Sequence, residues 1–139
     1  MKYLHTMVRV TNLEDSLDFY CNKLGLIELR RRESKEGRFT LVFLCAPNDH
    51  NACIELTYNW DPEEYDSGRN FGHIAYSVIN IYDICQKLID KGVEINRPPR
   101  DGKMAFIRSP DNISIELLQA GKPKTPIKPW VSMKNEGHW

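Results

Sequence analysis

The stretch that decides the fold is His5-Thr6-Met7-Val8-Arg9-Val10-Thr11-Asn12-Leu13-Glu14-Asp15, because it returns as His73-Ile74-Ala75-Tyr76-Ser77-Val78-Ile79-Asn80-Ile81-Tyr82-Asp83. In both copies Asn follows His by seven positions and Asp follows by ten. Each copy opens with alternating or β-branched residues, the mark of a strand. Each then presents Asn as a helix N-cap, with acidic residues in the first turn to suit the helix dipole. Leu13, Leu17, Tyr20 and Leu24 recur at helical spacing, and Gly25 closes that helix as Gly92 closes the second. Further on, each half ends in one tripeptide, Ile54-Glu55-Leu56 and Ile115-Glu116-Leu117. Internal similarity of this kind implies two copies of one supersecondary unit.

The expected elements follow. In the first half they are strands over 3–10, 26–31, 38–46 and 52–59, a helix over 12–25, and a loop Pro47-Asn48-Asp49-His50-Asn51. In the second they are strands over 72–78, 93–96, 104–108 and 113–118, a helix over 81–90, and a final turn Ser109-Pro110-Asp111-Asn112. The fold class is therefore α+β, two tandem βαβββ modules forming a cupped mixed sheet. Residues 1–60 make the first module and 71–119 the second. Residues 61–70, with Pro62, Ser67 and Gly68, link them. Residues 120–139 form a tail in which Pro123, Pro126 and Pro129 forbid a regular helix or central strand. Its Trp130 and Trp139 predict that parts of it dock on a surface.

Side chains alternate between the faces of a strand. His5, Met7 and Arg9 share one face, Glu55, Thr57 and Asn59 another, His73, Ala75 and Ser77 a third, and Ser114 and Glu116 a fourth. Each has an apolar opposite face suited to packing on helices. A single strand histidine is usually a structural residue and a single glutamate usually meets solvent. Here His and Glu recur at matching positions of both halves, which points to His5, Glu55, His73 and Glu116 as ligands of one divalent first-row metal. Two carboxylates neutralise the cation, and two open positions of an octahedron remain for a substrate. His50 and His138 carry no such pairing. Arg9 lies four residues beyond His5, ~13 Å at strand rise, and Asn59 stands in the same relation to Glu55. That reach suits a ligand with its reactive end at the metal and an anionic tail at Arg9.

Composition bounds the partners. The 139 residues hold 19 Lys+Arg against 19 Asp+Glu, without the basic surplus of a nucleic-acid binder. The longest apolar run, Leu41 to Ala46, is far short of a membrane span. The chain opens straight into strand-like sequence, and the expectation is a cytoplasmic protein with no nucleic-acid or membrane partner. Of Cys21, Cys45, Cys53 and Cys85, none forms a C-x-x-C pair. Cys45 and Cys53 could face each other across a hairpin, but the expectation is free buried thiols.

Residues 2–119 closely resemble the glyoxalase I (lactoylglutathione lyase) family of the vicinal oxygen chelate superfamily. The resemblance rests on Leu4-His5-Thr6-Met7-Val8-Arg9-Val10, Leu17-Asp18-Phe19-Tyr20, Thr40-Leu41-Val42-Phe43-Leu44, Ile54-Glu55-Leu56-Thr57-Tyr58-Asn59-Trp60, Gly72-His73-Ile74-Ala75 and Ser109-Pro110-Asp111. It implies a metal-dependent isomerase that converts the hemithioacetal of methylglyoxal and glutathione into S-lactoylglutathione. It implies metal ligation by His5, Glu55, His73 and Glu116, with Glu116 the principal base and Glu55 serving the opposite face. Arg9, Asn59 and Arg69 would meet the glutathione carboxylates and amides, Thr57 would line the pocket, and Arg97 or Arg100 would supply a basic residue over the site. The short chain resembles the nickel- or cobalt-preferring members, so Ni²⁺ is favoured, with Co²⁺ or Zn²⁺ the other candidates. The family is usually a homodimer with sites at the interface. In this chain the final turn reads Asp111-Asn112-Ile113, where the family commonly has Asp-Gly-aromatic. The rival readings are an epimerase, a thiol transferase or a dioxygenase of the same superfamily, and a metal-free small-molecule binding protein. Four candidate ligands argue against the two-His, one-carboxylate dioxygenase triad. Two buried carboxylates without a cation would be costly for the metal-free protein.

Overall fold

A computed structural model describes residues 1–66 and 68–139. Ser67, part of the expected linker, lies outside the described residues. The chain divides into two compact units, Met1–Asp66 and Ser67–Trp139.

In the first unit, β1 (His5–Arg9) leads into a helical segment, followed by β2 (Ile27–Ser34), β3 (Phe39–Ala46) and β4 (Asp49–Asn59). The strand order is β1-β4-β3-β2, with β1 parallel to β4 and the other pairs antiparallel. The helical segment starts as expected. Asn12 caps it, its Oδ1 accepting from the Glu14 and Asp15 amides at 3.0 and 3.2 Å. It is not one regular helix, however. α1 (Leu13–Leu17) passes into a π-helical turn, Asp18–Lys23. The wider winding places the sequence neighbours Phe19 and Tyr20 both in the core. Gly25 ends the segment at φ 96°, a left-handed conformation that glycine adopts without penalty.

Three other expectations of this half change. β2 runs to Ser34 rather than Arg31, because its exposed residues pair edge-on with β3 along its length. The loop over 47–51 shrinks to Pro47-Asn48, and β4 begins at Asp49, so His50 sits in a strand. Residues 49–52 are polar or small because they extend the hairpin beyond the core, where every one is exposed. The third correction is chemical: Cys45 and Cys53 are not free thiols but a disulfide. They follow the Leu44–Ile54 pair in register and stand 4.5 Å apart at Cα, the separation of directly opposed residues in a non-hydrogen-bonded antiparallel pair.

The second unit holds β5 (Ile74–Val78), α2 (Ile81–Asp90), β6 (Met104–Arg108) and β7 (Ser114–Gln119), in sheet order β5-β7-β6. Here too the first strand is parallel to the last, β5 to β7. α2 has the expected bounds and is capped by Asn80. The expected strand over 93–96 is absent. Only Arg97 bridges to Phe106, and Pro98 and Pro99, which lack amide hydrogens, stop the pairing there. The Asn96 carbonyl instead accepts from the Glu136 amide of the tail at 2.9 Å.

Each core lies on the expected face. Val42, Leu44, Ile54 and Leu56 are buried with Val8, Phe19 and Tyr20 in the first unit. Ala105, Ile107, Ile115 and Leu117 are buried with Ile81, Cys85 and Leu88 in the second. Burial pushes the Cys85 thiol up to about 12, which keeps it protonated and inert near neutral pH. The opposite sheet faces are left to carry chemistry.

Candidate active site

The two units build the same small arrangement. In the first, β1 residue Met7 stands opposite Glu55 of β4, so His5 is one step away on the same face. The His5 Nε2 lies 3.3 Å from a Glu55 carboxylate oxygen. In the second, Ala75 stands opposite Glu116, and His73, two residues earlier, occupies the matching position. Its Nε2 lies 3.1 Å from a Glu116 carboxylate oxygen. Both glutamate side chains are only 13% exposed. The repeat seen in sequence is therefore a repeat of register, and register fixes which side chains meet.

A third member of each arrangement is invisible in the alternation analysis of single strands. Phe43 of β3 stands opposite Glu55, and its ring meets His5 edge-to-face at 5.5 Å. Phe106 of β6 stands opposite Glu116 and meets His73 at 5.4 Å in the same manner. The signal available in sequence was a Phe in the strand preceding each Glu-bearing strand, Phe43 and Phe106, although Phe39 also lies in the first of these strands. The outer faces of the two rings differ. The Arg30 guanidinium lies 3.7 Å over Phe43, whereas Trp139 covers Phe106 at 6.2 Å.

The two glutamates also differ. Glu55 accepts a hydrogen bond from the Thr57 hydroxyl at 3.4 Å. Leu118 holds the equivalent place two residues beyond Glu116 and has no donor to offer. Asn59 donates to Glu63 at 3.1 Å and to the Tyr65 hydroxyl at 3.2 Å. Burial, with Glu63 beside it, raises the Tyr65 phenol above its ordinary range, and Arg9 acts in the opposite sense. Arg9, opposite Thr57, thus belongs to the same neighbourhood as Asn59.

In the second unit Arg69 borders a cavity of 460 Å³ together with Arg108, Ser114 and Trp139. Arg97 is committed within its unit, donating to the Met104 carbonyl and to Asp101 at 2.9 Å. Arg100 donates to the Met133 carbonyl at 2.9 Å. Among the described residues, no three of His, Cys, Asp and Glu gather at one point. Each unit presents a two-ligand pair, one imidazole nitrogen beside one carboxylate.

Comparison with known proteins gives these pairs a context. A model of the Glyoxalase/Bleomycin resistance protein/Dioxygenase superfamily matches residues 2–128. A Synechocystis protein named "Probable lactoylglutathione lyase" is 45% identical over 130 residues, 89% of this chain and 99% of its own. The lactoylglutathione lyase of Neisseria meningitidis serogroup A is 45% identical over 125 residues, covering 86% of this chain and 91% of its own. Among solved structures, the trypanothione-dependent glyoxalase I of Leishmania major superposes with a TM-score of 0.79 at 37% identity, covering 86% of each chain. With the sequence matched along nearly all of these relatives and the sheets matched in space, the chain belongs to the Glyoxalase/Bleomycin resistance protein/Dioxygenase superfamily and, within it, to the glyoxalase I (lactoylglutathione lyase) family.

Proposed function

We propose that this protein isomerises the hemithioacetal of methylglyoxal and glutathione to S-lactoylglutathione, with a divalent metal, in the cytoplasm and as a homodimer with sites at the interface. The carrying observation is the duplicated His–Glu–Phe arrangement, His5–Glu55–Phe43 and His73–Glu116–Phe106. The donor set fits a first-row cation. His5, Glu55, His73 and Glu116 offer two neutral nitrogens and two carboxylates, which balance its charge, and Ni²⁺ is favoured over Co²⁺ or Zn²⁺. Such a cation, when bound, supplies Lewis acidity that stabilises negative charge developing on the substrate oxygens.

The chain's own residues move the proton. Glu116 takes it from the carbon next to the carbonyl and returns it to the neighbouring carbon. Two residues beyond it Leu118 stands where Thr57 stands beyond Glu55, and the Glu116 carboxylate acts as base. Glu55, held by Thr57, serves the opposite face. Arg9, Asn59 and Arg69 hold the carboxylates and amides of the thiol portion, and Thr57 lines that pocket. Arg97 or Arg100 supplies a basic residue over the site, and each would exchange an existing bond to reach a ligand.

The test is thioester formation, followed by ultraviolet absorbance, from methylglyoxal with glutathione after loading with Ni²⁺, Co²⁺ or Zn²⁺. Turnover with glutathione and at least one metal is expected. Inactivity with every metal, or turnover with trypanothione alone, would overturn the proposal as stated.

A further inference from the structure

The tail is anchored on the second unit from end to end. The Lys124 amide donates to the Gly102 carbonyl at 2.9 Å, and the Tyr82 hydroxyl donates to the Thr125 carbonyl at 3.1 Å. Trp130 is 4% exposed and stacks on Tyr82. Asn96 and Glu136 bond backbone to backbone and side chain to backbone. Arg108 then donates from Nε to the His138 carbonyl at 2.6 Å, which sets the position of the next residue, Trp139.

Trp139 lies on Phe106 at a ring separation of 6.2 Å and a tilt of 34°. Phe106 in turn touches His73 and stands opposite Glu116. Trp139, Phe71, Ser114 and Arg69 border the cavity of 460 Å³. Ser114 shares the strand face of Glu116, is 7% exposed, and its hydroxyl has no hydrogen-bond partner among the described residues. A buried hydroxyl without a partner is costly in a folded protein and is satisfied when a polar ligand arrives. Phe71 and Trp139 give the cavity aromatic surface beside the polar Arg69, Arg108, Asn112 and Ser114, which suits an organic molecule with one flat apolar group.

Resting on the isomerase reading above, we propose that Trp139 is a specificity-determining residue: with Phe106 it forms the wall on which the carbon substituent of the 2-oxoaldehyde portion lies, beside the His73–Glu116 pair. The first unit gives the contrast. There the corresponding Phe43 is covered by the cationic Arg30, whereas in the second unit's copy the covering group is aromatic. An aryl substituent has a face to stack on Trp139, whereas a methyl group has little.

The experiment compares wild type, W139A and W139F, each metal-loaded, on the glutathione hemithioacetals of methylglyoxal and phenylglyoxal. W139A is expected to raise KM for the phenyl substrate about tenfold, with kcat little changed and the methyl substrate altered less than about twofold. W139F keeps a ring and is expected to retain the phenyl preference within about twofold. A tail that only supports the fold would move both substrates together. The second readout is binding of the unreactive S-benzylglutathione, followed by tryptophan fluorescence. Wild type should show a change in emission that W139F lacks, and W139A should bind it more weakly than S-methylglutathione by comparison with wild type. Equal KM changes for both substrates, or benzyl binding unaffected in W139A, overturn the inference while leaving the isomerase reading intact. If wild type turns over neither substrate, the isomerase reading fails, and the fluorescence titration decides separately whether Trp139 forms an aryl-binding wall.

Discussion

Glu55 and Glu116 are equivalent by repeat yet unequal by neighbour. Glu55 accepts from the Thr57 hydroxyl, which holds it in place, and Leu118 occupies that position beyond Glu116. In the proposed reaction the two groups of one chemistry divide the labour. E116Q retains an oxygen donor and the side-chain shape but loses the base. It is expected to lower kcat by about 10²–10⁴ while metal content, measured by elemental analysis, stays near that of wild type. Loss of metal with turnover preserved would sink the assignment of Glu116 as base.

At the scale of elements, the two helical segments show how much a duplicated sequence conserves. Both begin at an Asn cap following a strand that runs parallel to the module's last strand. Asn80 accepts from the Tyr82 amide at 3.2 Å and donates to Asp83 at 2.7 Å. N80A removes both bonds and is expected to cost about 1 kcal/mol, a fall of a few degrees in Tm by calorimetry. Beyond the caps the copies diverge. The second is a regular α-helix, and the first turns π at Asp18, where the packing of Phe19 and Tyr20 overrides local propensity. The Val93–Asn96 segment diverges for another reason. Its residues have strand-like patterning, but Pro98 and Pro99 and the competing Glu136 amide take away the partners that a strand needs.

At the scale of the whole molecule, the tail turns the second unit into something the repeat alone would not make. Its entry depends on Gly102, at φ 66°, whose missing side chain leaves room for the Lys124 carbonyl. A Cβ there would overlap that carbonyl oxygen and sit in a disfavoured backbone region. G102A is expected to destabilise the protein by about 2 kcal/mol or more and to release the tail. Red-shifted tryptophan emission, with faster proteolysis after Gly102, would report it, and an unchanged spectrum would contradict it. The sequence by itself determined the duplication, the caps and the apolar faces, and it singled out His5, Glu55, His73 and Glu116 as the proposed site residues. All of these are written in local periodicity and in the spacing of the repeat. Only the tertiary structure decided that Phe43 and Phe106 join the pairs, that Cys45 and Cys53 are bonded, and that Trp139 lies on Phe106. Those contacts depend on strand register and on where an irregular tail lands. Neither is encoded in a period along the chain; both are settled by packing between segments far apart in sequence.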